Sequence, residues 1–325
     1  MKYKNLFTLF DVSSCSTNLG DQIITRAVMR ELNNIVSNNQ IVNIPSHDYL
    51  SIPAYKKVLK SKYSFVGGSN LLSSNMPFYR QWKIRLTDPF ILKNCILFGT
   101  GWWQYQSKPN LYTSFLYKKV LSKEYYHSVR DQYTANMLES IGIKNVINTG
   151  CPTMWDLNQS HCDKIPGEKA NDVITTITDY NTDIKNDKQM LDLLIDNYDS
   201  VYLWLQGDGD LKFLKKIGYE NKVKIVPPNL YSYEKILKRD EGIDYIGTRL
   251  HAGVFALQHL RRTLVVAIDN RAKEISSDTN LPICERGDTD AMRAWISSGE
   301  KTSINLKDNE IRIFREQLSK LDSVF

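Results

Sequence analysis

Short apolar runs alternate along this chain with longer stretches in which apolar positions recur every three or four residues. The first pattern is that of buried strands and the second that of amphipathic helices. In the first half, strands are expected at Asn5–Phe10, Ile41–Ile44, Tyr63–Val66, Cys95–Phe98, Tyr125–Val129 and Val146–Thr149. The stretch Leu19–Val36 places Ile23, Ile24, Ala27, Val28, Leu32 and Ile35 on one helical face. Tyr55–Leu59, Leu111–Leu121 and Asp131–Ile141, closed by Gly142, read as further helices. The second half repeats the rhythm, with strands at Val173–Ile177, Val201–Leu205, Val223–Val226, Ile243–Ile246 and Leu264–Ile268. Its helices are expected at Lys188–Asn197, Leu211–Ile217, Tyr231–Arg239 and His251–His259, with a last one at Asp308–Leu321.

Alternation of this kind implies parallel strands joined by crossover helices, hence an α/β protein. Residues 156–171 break the rhythm with Asn, Gln, Ser, Asp, Lys, Pro and Gly, the composition of an interdomain linker. The expected organisation is two Rossmann-like domains facing across a cleft, 1–165 and 166–325, the second ending in a closing helix.

At 325 residues, two domains of ordinary size each have room for a core. Hydrophobic residues at 42% and charged residues at 24% fit a soluble globular protein. The 18 Tyr and 6 Trp suit sugar-facing surfaces and cores alike. The net charge of +6 is spread over the chain, with Lys56, Lys57, Lys60 and Lys62 the nearest approach to a cluster and Lys83 and Arg85 joined to it loosely. The simplest reading of a lysine run is a solvated face. A mild basic excess favours phosphorylated substrates or an anionic membrane face, and with no nucleic-acid-binding signature, no nucleic acid partner is expected.

The five cysteines are odd in number and none forms a CxxC pair, which argues against structural zinc or a disulfide framework. After Lys2 and Lys4, the apolar stretch Leu6–Phe10 is too short for a signal peptide core. No apolar run is long enough to span a bilayer. The expected location is the cytoplasm, with peripheral contact at the inner face of the membrane.

Residues 247–253, Gly-Thr-Arg-Leu-His-Ala-Gly, lie between the strand at Ile243 and the helix at His251. A strand end opening into a helix points backbone N–H groups at whatever lies above the sheet and so favours an anion. Arg249 offers a planar fork for that anion, and His251 can carry a proton. The same turn can also be ordinary structure, its Arg solvated and its His bonded to a carbonyl. Other strand ends carry similar punctuation: Gly20-Asp21, Gly67-Gly68, Gly99-Thr100-Gly101 and Gly150. Asp208-Gly209-Asp210 presents a DxD pattern, read here as a turn rather than a metal site. No metal is expected.

In this order the strand ends resemble those of the polysaccharide pyruvyl transferase family, over roughly residues 8–300. The resemblance rests on Asn18-Leu19-Gly20-Asp21, Gly67-Gly68-Ser69-Asn70, Ser128-Val129-Arg130-Asp131 with Thr134 and Leu138, Gly150-Cys151-Pro152, and Gly247-Thr248-Arg249-Leu250-His251-Ala252. It implies a GT-B-like fold and transfer of pyruvate from phosphoenolpyruvate onto two hydroxyls of a sugar as a cyclic ketal, with release of phosphate. No cofactor is implied beyond that donor. Within the family the Arg-Leu-His motif is associated with phosphoenolpyruvate binding, which carries over to Arg249, Leu250 and His251.

On the chemistry such a reaction needs, His251 is the candidate acid and Arg130 a second cationic anchor. Asp21 is the candidate base or hydroxyl-orienting group, with an N-cap-like contact as its alternative role. Asn18, Gly20, Gly67, Gly68 and Asn70 are candidate substrate-binding positions. Ser69, Cys151 and Arg271 depart from residues common in the family and bear on the acceptor more than on the reaction. The acceptor is expected to be a sugar of a bacterial surface or capsular polysaccharide, a lipid-linked oligosaccharide being one form. The alternative is a GT-B glycosyltransferase using a nucleotide sugar, told apart by whether phosphate or a nucleoside diphosphate is released.

Overall fold

The computed structural model describes residues 6–36 and 39–323, with side chains through Leu321; Lys2, Lys4 and Asn5 lie outside the described residues. The chain forms two compact units. One holds the described residues up to Ser16, Ile24–Trp155 and the described residues from Leu306 onward; the other holds Thr17–Ile23 and Asp156–Asn305.

The first unit is built on β1 (Leu6–Asp11), α1 (Leu19–Ile35), β2 (Gln40–Pro45), α2 (Ile52–Lys60), β3 (Tyr63–Gly67) and β4 (Cys95–Phe98). It continues with α3 (Leu111–Val120), β5 (His127–Val129), α4 (Gln132–Ser140) and β6 (Val146–Asn148). Four strands pair in the parallel order β2-β1-β3-β4, and β5 pairs with β6. β3 and β4 are buried almost throughout, as parallel strands covered on both faces must be. The order reverses between β1 and β3, the kind of switch point at which open α/β sheets leave a crevice.

The seam between β4 and β5 is partly made by a side chain. Gly99 N–H donates to Ser128 O at 2.9 Å, while Leu97 N–H donates to the ring Nδ1 of His127 at 3.3 Å. The other ring nitrogen of His127 lies 2.9 Å from Ser122 O, so the ring is the neutral tautomer with hydrogen on Nε2. Complete burial pushes its pKa down to about 4.

The second unit begins with α5 (Gln159–Cys162) and then alternates strictly. Its elements are β7 (Asp172–Thr175), α6 (Ile184–Asn197), β8 (Ser200–Trp204), α7 (Asp210–Ile217), β9 (Lys224–Val226), α8 (Leu230–Leu237), β10 (Ile243–Gly247) and α9 (Leu250–Gln258). β11 (Thr263–Ala267), α10 (Asn270–Thr279), β12 (Ile283–Glu285) and α11 (Thr289–Ser297) complete it. All six strands are parallel in the order β9-β8-β7-β10-β11-β12. That is the strand order of dinucleotide-binding folds, with its switch point between β7 and β10. The α/β class and the pair of Rossmann-like parallel sheets are as the alternation predicts.

Three elements differ from the sequence reading. The polar run 156–171 is folded rather than a loose linker: Leu157, Cys162 and Ile165 are buried, and His161 Nε2 lies 2.8 Å from Leu257 O. α6 starts at Ile184 because Asp183 caps it, accepting from Asn186 N–H at 3.1 Å. The segment after Ile268, for which no element is predicted, holds α10, β12 and α11. The final helix, α12 (Asp308–Ser323), belongs to the first unit. Its Phe314 ring meets Phe98 at 5.0 Å, and Gln317 bonds the backbone of Tyr126 in both directions at 2.7 Å.

Candidate active site

At the switch point of the second unit, the residues that follow β7 and β10 are laced together. Thr248 N–H donates to Thr176 O at 3.0 Å, and Arg249 N–H to Thr176 Oγ1 at 3.2 Å. Tyr245, buried beneath, donates its hydroxyl to Arg249 O at 2.8 Å. Gly247 makes the approach possible, because a Cβ there would lie 2.6 Å from Thr176 N.

The Arg249 guanidinium is therefore presented at a fixed place, and its own bonds fix it further. Nε donates to Ile177 O at 3.1 Å; Nη2 donates to Asp210 Oδ1 at 2.6 Å and to Asp179 Oδ1 at 2.9 Å. Nη1 donates to no protein acceptor among the described residues. Burial opposes the charge on Arg249, but the Asp210 carboxylate beside it and Asp179 hold its pKa above the ordinary arginine value. The guanidinium also faces the Tyr180 ring, 4.9 Å from its centroid.

Asp208-Gly209-Asp210 acquires a definite role here. Asp210 is completely buried; its Oδ2 accepts from Gln206 N–H at 3.0 Å and Gly207 N–H at 2.7 Å, and its Oδ1 takes Arg249. The pattern is a brace for an arginine. Both glycines of this loop are close-approach positions: a Cβ on Gly207 would sit 2.6 Å from Arg249 Nη2, and one on Gly209 2.5 Å from Asp179 Oδ2.

The same brace reaches the start of α1; Thr17–Ile23 belong to this unit. Gln206 Nε2 donates to Asn18 Oδ1 at 2.7 Å, and Leu19 N–H donates to Gln206 O at 3.0 Å. Asn18 Oδ1 also accepts from Gly20 N–H at 3.1 Å, so Asn18 is the capping side chain. Asp21 follows in the first turn of α1, nearly buried. Asn18, Gly20, Asp21, Arg249, Leu250 and His251 thus all lie in one unit, with Gln206 and Asp210 as the hydrogen-bonded links from Asn18 to Arg249.

Helix starts sharpen the picture. α2, α3, α4, α5, α6, α8, α10 and α11 each have a Ser, Asn or Asp side chain that accepts a first-turn N–H. α7 and α9 have Gly209 and Arg249 at that position and no side-chain cap. These two helices begin at the brace. At α9, the positive end of the helix is left without a side-chain acceptor beside a buried cation, with His251 as its second residue and 8% exposed. Such a place suits an anion.

Arg271, Asp269 and Tyr180 extend the site. Asp269 grips Arg271 with both oxygens, and Arg271 Nη2 donates to Tyr180 Oη at 2.6 Å. The half-exposed Tyr180 ring thus lies within reach of two guanidinium groups, Arg249 and Arg271. Sequence reasoning misses Asp179, Tyr180 and Gln206; each lies a few residues past the end of a strand, and that location alone could have pointed to them.

The remaining candidates lie in the first unit. Gly68 has φ +66°, and a Cβ there would be 2.0 Å from Ile24 Cγ2; one on Gly67 would be 3.0 Å from Leu9 Cδ1. Close packing of the β3 end, against Ile24 of α1 at Gly68 and against Leu9 of β1 and Val28 of α1 at Gly67, is therefore reason enough for both glycines. Asn70 Oδ1 is buried without a hydrogen-bond partner among the described residues. Arg130 is buried, donates from Nε to Asp131 Oδ2 at 3.1 Å, and occupies the space a side chain on Gly101 would fill. The sequence reading misses Asp11, at the switch point of this sheet. It accepts from Ser13, Ser14, Thr25 and Asn43 at 2.6–3.0 Å. Burial raises the Asp11 pKa, but bonds from Thr25 and Ser13 outweigh it and hold the carboxyl below its usual value.

The family model described as polysaccharide pyruvyl transferase matches residues 18–270. No curated protein matches the sequence. Among solved structures, S. aureus MnaA, determined with UDP, is 12% identical with a TM-score of 0.48, covering 98% of this chain and 97% of its own. The lipopolysaccharide outer core galactosyltransferase WaaB is 10% identical with a TM-score of 0.48, at 98% and 97% coverage. The wall teichoic acid polymerase TagF is 13% identical with a TM-score of 0.43, at 99% and 84% coverage.

Proposed function

The chain belongs to the polysaccharide pyruvyl transferase family, and from that premise we propose that it moves pyruvate from phosphoenolpyruvate onto two hydroxyls of a sugar acceptor. The observation that carries this reading is the fixed guanidinium of Arg249 beside the side-chain-uncapped start of α9. Phosphoenolpyruvate is a small molecule with two anionic groups, and a preset cation with helix N–H groups answers one of them. Each charge-assisted hydrogen bond of this type contributes about 1.5–3 kcal/mol. Leu250, buried at the first position of α9, keeps the turn in register.

His251 delivers a proton to the methylene carbon of the donor, which becomes the methyl group. The neighbouring carbon then takes the first sugar hydroxyl oxygen, and the hydroxyl proton passes to Asp21. Attack by the second hydroxyl closes the ketal and expels phosphate, which leaves with the second hydroxyl proton. A helix start disfavours the histidinium alone, whereas a bound phosphate dianion favours it; the acid is therefore armed by its substrate. Because Asn18 already caps α1, Asp21 is not needed for that duty.

The test is to incubate the protein with phosphoenolpyruvate and a panel of sugar acceptors, following phosphate release and ketal mass together. Acceptor-dependent phosphate with a matching ketal supports the reading. Release of a nucleoside diphosphate from a nucleotide sugar, with phosphoenolpyruvate untouched, replaces it with the glycosyltransferase alternative.

A further inference from the structure

The three most exposed large apolar side chains among the described residues, Leu111 (91%), Phe78 (88%) and Phe90 (81%), all belong to the first unit. Leu111 falls into an ordered pattern. On α3, Leu111, Phe115, Lys118 and Lys119 stand at i, i+4, i+7 and i+8, all exposed, while Leu116, Tyr117 and Val120 face the core. On α2 the same four offsets are occupied by Ile52, Lys56, Leu59 and Lys60, also all exposed, with Val58 turned inward. α3 thus shows solvent a stripe, and α2 a broader face that also takes in Lys57, in which large apolar and lysine side chains stand together.

A turn ties the two together. Tyr55, on α2, donates its hydroxyl to Asp88 Oδ1, and Asp88 Oδ2 takes Arg85 N–H at 2.8 Å. The same turn, 88–90, contacts α3 and exposes Phe90, with Leu86 exposed just before it. Residues 52–60, 83–94 and 107–120 contain nine Lys and Arg and one acidic residue, Asp88, which is completely buried. For comparison, the whole chain has a net charge of only +6. At the carboxyl end of α3 a cavity of about 420 Å³ lies between Lys118, Lys123 and Lys144 over Leu121 and Ile143.

A solvated lysine face does not need bare Leu, Ile and Phe side chains among its charges. A polyanion such as nucleic acid would leave those side chains unused, and a second copy of a face with this charge would repel the first. We propose that this face of the first unit docks on a bilayer surface rich in anionic phospholipid. The apolar side chains enter the headgroup layer and the lysines meet the phosphates. This is a surface contact, since no described helix is long and apolar enough to cross a membrane. The segment that follows β3 is bonded to α3, Met76 N–H to Thr113 Oγ1 and Ser73 N–H to Tyr117 Oη, each at 3.0 Å. Docking therefore points to lipid-linked sugars as the acceptor class, a clause that rests on the proposed function; the docking itself does not.

The experiment is sedimentation of the full chain with vesicles of phosphatidylcholine alone and of phosphatidylcholine with phosphatidylglycerol. Two variants accompany it, Leu111→Ser/Phe115→Ser and Lys56→Glu/Lys57→Glu/Lys60→Glu. All five positions are exposed, and unchanged thermal melting confirms that both variants are folded. Binding is expected only with phosphatidylglycerol and should weaken steeply as salt rises from about 0.1 M to about 0.5 M. The lysine variant should lose on the order of a hundredfold in partitioning, and the apolar variant should lose binding at every salt concentration. Equal binding to both vesicle types, no binding to either, or indifference to both variants overturns the proposal. So does self-association that the apolar variant abolishes, or a duplex oligonucleotide held more tightly than the vesicles. Acceptor-dependent phosphate release with a water-soluble sugar is read separately, so a failure of the chemistry is not mistaken for a failure of docking.

Discussion

Arg249 and Asp210 are buried against each other at 2.6 Å, each with side-chain exposure of 2% or less. Removing one partner of such a pair leaves an uncompensated charge inside the protein, at a cost of about 3–5 kcal/mol. Arg249→Ala is therefore expected to lose stability as well as donor affinity, and its urea midpoint should fall. Arg249→Lys keeps the charge and loses the fork. It should melt near the parent temperature while binding phosphoenolpyruvate at least tenfold more weakly by calorimetry; parental affinity in this variant removes Arg249 from the donor site.

His251→Gln keeps size and hydrogen bonding without a transferable proton. Donor affinity should be largely retained, while turnover falls on the order of a hundredfold or more. In the parent, turnover should fall as pH rises through the donor-bound pKa of the histidine, and that limb should vanish in the variant. A histidine that only anchors the donor gives the opposite split, with weaker binding and near-parental turnover at saturation.

Gly207→Ala and Gly209→Ala place a methyl group 2.6 Å from Arg249 Nη2 and 2.5 Å from Asp179 Oδ2. The Arg249 guanidinium is held by its buried ion pairs, and a methyl group on Gly209 would also lie 2.9 Å from Asp179 Cβ, so neither neighbour gives way freely. The expected outcome is a lowered Tm with a several-fold rise in KM for phosphoenolpyruvate. Unchanged KM would mean that the brace has no part in binding.

His127 supplies a pH dependence that belongs to the fold and not to the site. Its folded pKa is about 4, below the ordinary value of 6.5. The folded state therefore binds fewer protons between those values, and stability falls as pH drops through that window. From this group alone the protein should be about 2 kcal/mol less stable at pH 5 than at pH 7. His127→Gln, compared with the parent by urea denaturation at the two pH values, should lose that part of the difference.

The strands were legible because parallel strands covered on both faces are unbroken apolar runs, as Cys95–Phe98 illustrates. Asn270–Thr279 was not, because its helix is mostly polar and only Ala272, Ile275 and Thr279 are buried. In the site, Arg249 and His251 stood out through their place at a strand end. Asp210 was visible as part of a DxD pattern, yet its partner was not, since 39 residues separate it from Arg249. Asp179 and Tyr180 act only through neighbours that other strands bring to them, and no local spacing encodes such a meeting. The glycines at 67 and 68 illustrate the opposite hazard: punctuation at a strand end can be explained by a helix that must come close.

The side-chain-uncapped start of α9 has a practical consequence. An anion held there takes the place that Ser, Asn or Asp fills on the neighbouring helices, and so becomes part of what keeps the first turn wound. A ligand bound at a hundred times its Kd stabilises the folded state by about 2.7 kcal/mol. Slower amide exchange in that turn and a raised melting point would therefore register the donor before any sugar is found to receive its pyruvate. Melting curves alone can thus rank phosphoenolpyruvate against nucleotide sugars.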